Sequence, residues 1–242
     1  MTIPTVSETQ SKAAKVVGTM YLYGFVAAFD EMFVRGRLIF ENNVQATAQS
    51  IIGHELLFRI GIAVDLVEMA SIVVLLTGLF VILKAVNQNL ALVAALWRLM
   101  EAVICVVMTL SSFAVLRVLS SDDYLRVIQS DHVYSSLAWI YLGAHDDGYN
   151  VAEIFLGLGS TVFSYLWYKS RYIPRSLAVC GVFSSVLVAI STLAFVVSPG
   201  LADAVGLACY APIAIFELTL GLWLLFKGLK PSEVALDKPQ SV

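Results

Sequence analysis

Charged residues are scarce in this sequence. Only 14% of the 242 residues are Asp, Glu, Lys or Arg, whereas soluble domains contain roughly 25%. Basic residues are not in excess either, because the formal net charge is -3, so little is available to neutralise a nucleic-acid backbone. Hydrophobic residues make up 59% and the mean hydropathy is +0.84. The composition excludes a nucleic-acid partner and indicates an integral membrane protein whose main partner is the lipid bilayer.

Cysteine is also rare, and the arrangement of the three cysteines does not suggest a disulfide framework. Cys105, Cys180 and Cys209 all lie inside apolar blocks, where small polarisable side chains pack readily. No P-loop, dinucleotide fingerprint or Gly-x-Ser-x-Gly elbow occurs. We therefore expect no cofactor. The zinc-binding residue types His54, His145 and Asp146 lack the spacing of a zinc motif, so no metal site is predicted.

Long apolar blocks dominate the chain. A helix needs about 20 mainly apolar residues to cross a bilayer core. The blocks predict an all-α fold, a polytopic bundle of about six transmembrane helices forming a single membrane domain over residues 13–228. Residues 1–12 and 229–242 are predicted to be cytoplasmic tails. The predicted spans cover residues 13–33, 60–83, 90–119, 150–168, 174–197 and 202–226.

The connections between the predicted spans contain recognisable signals. Residues 120–145 mix acidic residues with regularly spaced apolar ones, a pattern typical of interfacial helices, here between the third and fourth spans. Pro174 is expected to open the fifth helix. Pro212 is expected to kink the sixth.

The distribution of basic residues predicts the orientation. With the N-terminus inside, cytoplasmic segments hold more Lys and Arg than the opposite face, as the positive-inside rule requires. Both termini are therefore predicted to be cytoplasmic. The cytoplasmic set is Lys12, Lys15, Lys84, Lys169, Arg171, Arg175, Lys227, Lys230 and Lys238, and the opposite set is Arg35, Arg37, Arg117 and Arg126.

Several ionisable residues fall within or beside the predicted spans. Each costs about 2.5–3.5 kcal/mol at the bilayer centre, so such residues are expected to face the bundle interior in pairs. Glu55 and Arg59 are spaced i, i+4, and Arg98 and Glu101 are spaced i, i+3, so each pair can form within its own helix. The predicted polar core or ligand site consists of His54, Glu55, Arg59, Asp65, Arg98, Glu101, Glu153 and Glu217.

Three functions are compatible with this pattern. The favoured one is binding or transport of a small or lipophilic molecule in a polar intramembrane cavity. An alternative is a structural or accessory subunit, with a membrane-protein partner or as a homo-oligomer, whose polar residues only fix helix packing. A second alternative is a metal-assisted intramembrane hydrolase that uses His54 and His145. The sequence favours a protein that is not an enzyme but does not decide the point. The residues expected to line the cavity are Glu55, Arg59, Asp65, Arg98 and Glu153.

Several short segments resemble a known family. They include His-Glu-Leu-Leu-Phe-Arg at 54–59, Trp-Arg-Leu at 97–99 and Ser-Arg-Tyr-Ile-Pro-Arg at 170–175. Over residues 17–228 the chain is similar to the bacterial membrane proteins of domain of unknown function 4386. The resemblance implies six transmembrane helices and an inner-membrane location, and it implies no particular activity. It also implies an apolar residue at the position of Glu153, from which this chain departs.

Overall fold

The fold is helical throughout the residues that the computed structural model describes, which are 6–30, 33, 36–40, 43–120, 133–198 and 200–230. No strand occurs in these residues. Short 3-10 helices cover Gly36–Leu38 and Gly206–Cys209. The α-helices are α1 (Glu8–Phe29), α2 (Val44–Gly53), α3 (Glu55–Leu83), α4 (Gln88–Leu119), α5 (Val133–Ser170), α6 (Arg175–Val197), α7 (Gly200–Val205) and α8 (Ala211–Phe226).

Four of these helices are long and apolar enough to cross a bilayer. They are α3, α4, residues Ser136–Ser170 of α5, and α6, and they overlap the second to fifth predicted spans. The shorter helix α8 is also apolar. The protein is therefore a multi-pass helical membrane protein.

Helix α5 is much longer than the span predicted at residues 150–168. It runs without a break for 38 residues, so residues 133–145 belong to the same helix as the predicted fourth span and do not form a separate helix. Ala138 and Leu142 are buried in an apolar cluster with Ile51, Phe58 and Leu116, so the apolar face of this amphipathic stretch packs on protein. The remainder of the predicted interfacial region, residues 121–132, lies outside the described residues.

The sixth predicted span is divided. Residues 202–226 fall into the end of α7, a 3-10 turn and α8, and Pro212 lies in the first turn of α8. The prediction of a kink at Pro212 was wrong, because a proline without an N–H group is best tolerated where a helix begins. Pro174 does open its helix, as the N-cap residue of α6.

Six helices form a closed ring. In order, α1, α3, α4, α5, α6 and α8 each contact the next, and α8 returns to α1. We call this arrangement the helical ring. The contact between α1 and α8 depends on small residues, because a Cβ atom at Gly18 would lie 2.8 Å from the carbonyl oxygen of Gly221. Close approach of this kind is usual where membrane helices cross at glycine.

Hydrogen bonds tie together one end of the helical ring. The Gln10 Nε2 atom donates to the Ile82 carbonyl at 3.0 Å and to the Tyr172 hydroxyl at 3.4 Å. The Lys230 backbone N–H donates to the Tyr172 carbonyl at 2.8 Å. We call these four residues the terminal rim. They bring the start of α1, the end of α3, the α5–α6 turn and the segment after α8 to the same end of the molecule.

Candidate binding cavity

A cavity of about 220 Å³ lies inside the helical ring. It is lined by the second half of α1, the middle of α3, α4 and α5, and the first half of α8, so it lies away from the terminal rim. Ionisable side chains from four different helices converge on it. They are Glu68 on α3, Arg98 and Glu101 on α4, Glu153 on α5 and Glu217 on α8.

Arg98 and Glu101 form a buried ion pair. Their Nη1 and Oε2 atoms lie 2.8 Å apart, and the residues are only 4% and 5% exposed. The predicted i, i+3 pair is therefore confirmed. The same two atoms have no hydrogen-bond partner in the described structure, because their contact is too poorly aligned to count as a hydrogen bond. Both atoms keep hydrogen-bonding capacity that a molecule in the cavity could use.

Gly159 of α5 makes room for Arg98. A Cβ atom at Gly159 would lie 2.7 Å from Arg98 Cγ and 3.0 Å from the carbonyl oxygen of Ala94. The aliphatic part of Arg98 therefore passes directly over the glycine. This contact positions the guanidinium group at the cavity wall.

Carboxyl groups predominate among the ionisable groups around the cavity. Four carboxyl groups line it together with a single guanidinium group. Glu153 and Glu217 lie within electrostatic reach of Arg98. Neither makes an ion pair within 4 Å among the residues that the structure describes, whereas Glu101 does. Arg98 thus has one close partner and two further carboxyl groups nearby.

Aromatic and sulfur-containing side chains form part of the remaining lining, beside aliphatic and small residues. Tyr21, Phe25, Tyr149 and Tyr210 contribute rings, and Met20, Met69 and Cys105 contribute sulfur atoms. The three tyrosines were not among the site residues predicted from the sequence. A signal was present in α1, where positions 21, 24, 25 and 28 recur at helical spacing and all line the cavity.

Four residues predicted for the polar core lie outside the cavity lining, contrary to the prediction. Glu55 and Arg59 form the expected pair at 2.7 Å, but their side chains are 42% and 50% exposed. His54 is exposed at the junction of α2 and α3, and Asp65 is half-buried. The physical reason is position along the helix, because α3 begins at Glu55 and reaches the cavity only at Glu68.

The residues considered for a metal site do not form a cluster. His145 Nδ1 lies 3.7 Å from Asp146 Oδ1, but the Asp146 side chain is 81% exposed. The His54 ring contacts the Ser50 carbonyl at 3.0 Å. Within the described part of the chain, no group of three or more His, Cys, Asp or Glu residues could hold a metal ion.

Comparison with known proteins identifies a family, but that family has no assigned activity. The model of a family described as Domain of unknown function (DUF4386) matches residues 16–228. No curated protein and no solved structure matches the chain. The family match extends from the middle of α1 to just beyond the end of α8, and so covers every residue that lines the cavity.

Proposed function

This chain belongs to the DUF4386 family, and we propose that it binds a small molecule in the cavity and carries it between the cavity and one side of the membrane. One observation carries the proposal. Ionisable groups from α3, α4, α5 and α8 meet around an internal space in a helical membrane protein. Such groups are costly in a bilayer, and those that are retained usually mark a ligand or ion pathway.

A purely structural role for these groups has less support. A polar lock between helices needs partners on different helices, but the close ion pair of Arg98 and Glu101 lies within one helix. Their contacting atoms also lack hydrogen bonds. Such a pair is weak evidence for a stabilising role.

The size of the cavity supports a small ligand. A cavity of 150 Å³ in another protein accepts benzene, so about 220 Å³ suits a molecule somewhat larger than benzene. Larger drug-sized ligands need roughly 300 Å³ or more.

We also propose that all six helices of the ring span the membrane, with both termini in the cytoplasm. Helix α1 is about 33 Å long at 1.5 Å per residue, which suits a core of about 30 Å. Helix α8 is shorter and is preceded by a 3-10 turn.

Basic residues near the terminal rim support the proposed orientation. Arg175 lies over the ring of Tyr168 and Lys230 over that of Trp223, as expected for anchors at a membrane surface.

A cavity-filling variant tests the proposed binding function. Gly24 lines the cavity, and a Cβ atom there would have nothing within 4 Å, so Gly24→Phe fills the space without a backbone clash. Gly143→Phe is the matched control, because Gly143 also has open space around it but lies outside the cavity lining. Mass spectrometry of small molecules that co-purify in mild detergent should detect a species with the wild type and the control that is missing from Gly24→Phe. Identical small-molecule profiles for the wild type and both variants would count against the proposal.

A further inference from the structure

We infer that the ligand of this cavity is a small organic cation whose positive charge lies between Glu153 and Glu217. This inference rests on the proposed function and specifies its ligand class. It follows from the distribution of ionisable groups and from the chemistry of the remaining wall of the cavity.

Carboxyl groups outnumber basic groups around the cavity. The guanidinium of Arg98 is in contact with Glu101, while Glu153 and Glu217 come from two other helices and have no such close partner in the described structure. A carboxyl group away from water stays ionised only beside a positive charge. A cation in the cavity supplies it, whereas an anion would face four carboxyl groups.

Glu101 already has a cationic partner. Its buried Oε2 atom lies 2.8 Å from Arg98 Nη1. The carboxyl groups of Glu153 on α5 and Glu217 on α8 are therefore the ones left to stabilise a cation in the cavity.

The wall selects an organic cation over a metal ion. Calcium and magnesium prefer shells made of six or more oxygen atoms, including carbonyls and waters. Here the same cavity is also lined by the rings of Tyr21, Phe25, Tyr149 and Tyr210. Aromatic rings attract ammonium groups through cation–π interactions and also pack against the attached carbon atoms. Met20 and Met69 add flexible apolar surface that adapts to a carbon skeleton.

Benzyltrimethylammonium is a suitable probe, because it is somewhat larger than benzene and its charge does not depend on pH. Neopentylbenzene has the same shape without the charge, and benzylsulfonate carries a negative charge. Binding of each probe is measured by calorimetry with the full-length protein in detergent. We expect the cation to bind at least about tenfold more tightly than either analogue.

We also expect Glu153→Gln and Glu217→Gln each to weaken binding of the cation about tenfold. The control is Asp147→Asn, which changes a residue of α5 outside the cavity lining and should have little effect.

A second measurement tests the inference without Glu153→Gln and Glu217→Gln, in case these variants do not fold. Cys105 lines the cavity, so in a chain with Cys180→Ala and Cys209→Ala the cation should slow alkylation of Cys105 by N-ethylmaleimide. Equal protection by neopentylbenzene, or no protection by the cation, overturns the inference. The proposed function would survive such a result if Gly24→Phe still lost a co-purifying molecule, and it would fall if no molecule were lost.

Discussion

Gly159 of α5 lies directly beneath the Arg98 side chain of α4, at a distance that leaves no room for a methyl group. A Cβ atom would meet both the Cγ atom of Arg98 and the backbone oxygen of Ala94. Arg98 cannot move away freely, because it is almost fully buried and in contact with Glu101. The position of the guanidinium group at the cavity therefore depends on a glycine in the neighbouring helix.

Gly159→Ala should destabilise the protein. Overpacking of this kind typically costs about 1–3 kcal/mol, and the better helix propensity of alanine offsets at most about 1 kcal/mol of that. The measurement is denaturant unfolding in detergent. Gly143→Ala is the control, since its Cβ atom would meet nothing within 4 Å, and it should be neutral or slightly stabilising. Equal stability of the two variants would contradict the close packing.

Removing Arg98 alone should lower the free energy of unfolding more than removing both Arg98 and Glu101. Arg98→Met leaves Glu101 buried without its ion-pair partner, and breaking a buried pair in this way typically costs about 3–5 kcal/mol. The double variant Arg98→Met, Glu101→Leu should recover part of that loss, because no buried member of the pair is then left alone. A double-mutant cycle of unfolding free energies measures the coupling. Strictly additive losses would mean that the two side chains do not interact.

The pair formed by Glu55 and Arg59 should contribute little to stability. Both side chains are about half exposed, and solvent-exposed ion pairs contribute about 0–1 kcal/mol. We expect Arg59→Met to unfold at nearly the same denaturant concentration as the wild type. A loss as large as that of Arg98→Met would show that Arg59 is buried in the membrane-embedded protein.

Thiol labelling of intact cells tests the proposed orientation. In a chain lacking its three native cysteines, Ser198→Cys and Lys230→Cys place single thiols at opposite ends of the helical ring. A membrane-impermeant reagent should label Ser198→Cys at once and Lys230→Cys only after permeabilisation, since the positive-inside rule places the terminal rim in the cytoplasm. The reverse pattern would show that the protein is inserted the other way round.

Local sequence patterns predicted the features that depend on one helix. The i, i+3 spacing identified the contact between Arg98 and Glu101, and apolar length identified α3, α4 and α6 to within a few residues at most ends. The full length of α5 was missed, because residues 120–145 mix acidic and apolar residues in a pattern that resembles an interfacial helix.

Features that depend on the neighbours of a helix could not be obtained from a single sequence. Helical periodicity shows that Glu153 and Glu217 lie on particular faces, but not that α5 and α8 face the same space. The grouping of Tyr21 with these residues requires the contact between α1 and α8 that closes the ring. The position of Glu55 relative to the cavity depends on where α3 begins, which the apolar pattern fixes poorly.

The hydrogen bonds around Tyr172 have a mechanical consequence. Because Gln10 is hydrogen-bonded to Tyr172 and to the Ile82 carbonyl, helix α1 is held at the terminal rim, and a tilt of α1 would pivot about that point. Its length of about 33 Å means that a tilt of about 5° would displace the opposite end by about 3 Å. That displacement is about the diameter of a water molecule, so a small rotation at the fixed end is enough to change access to the space between α1 and its neighbours.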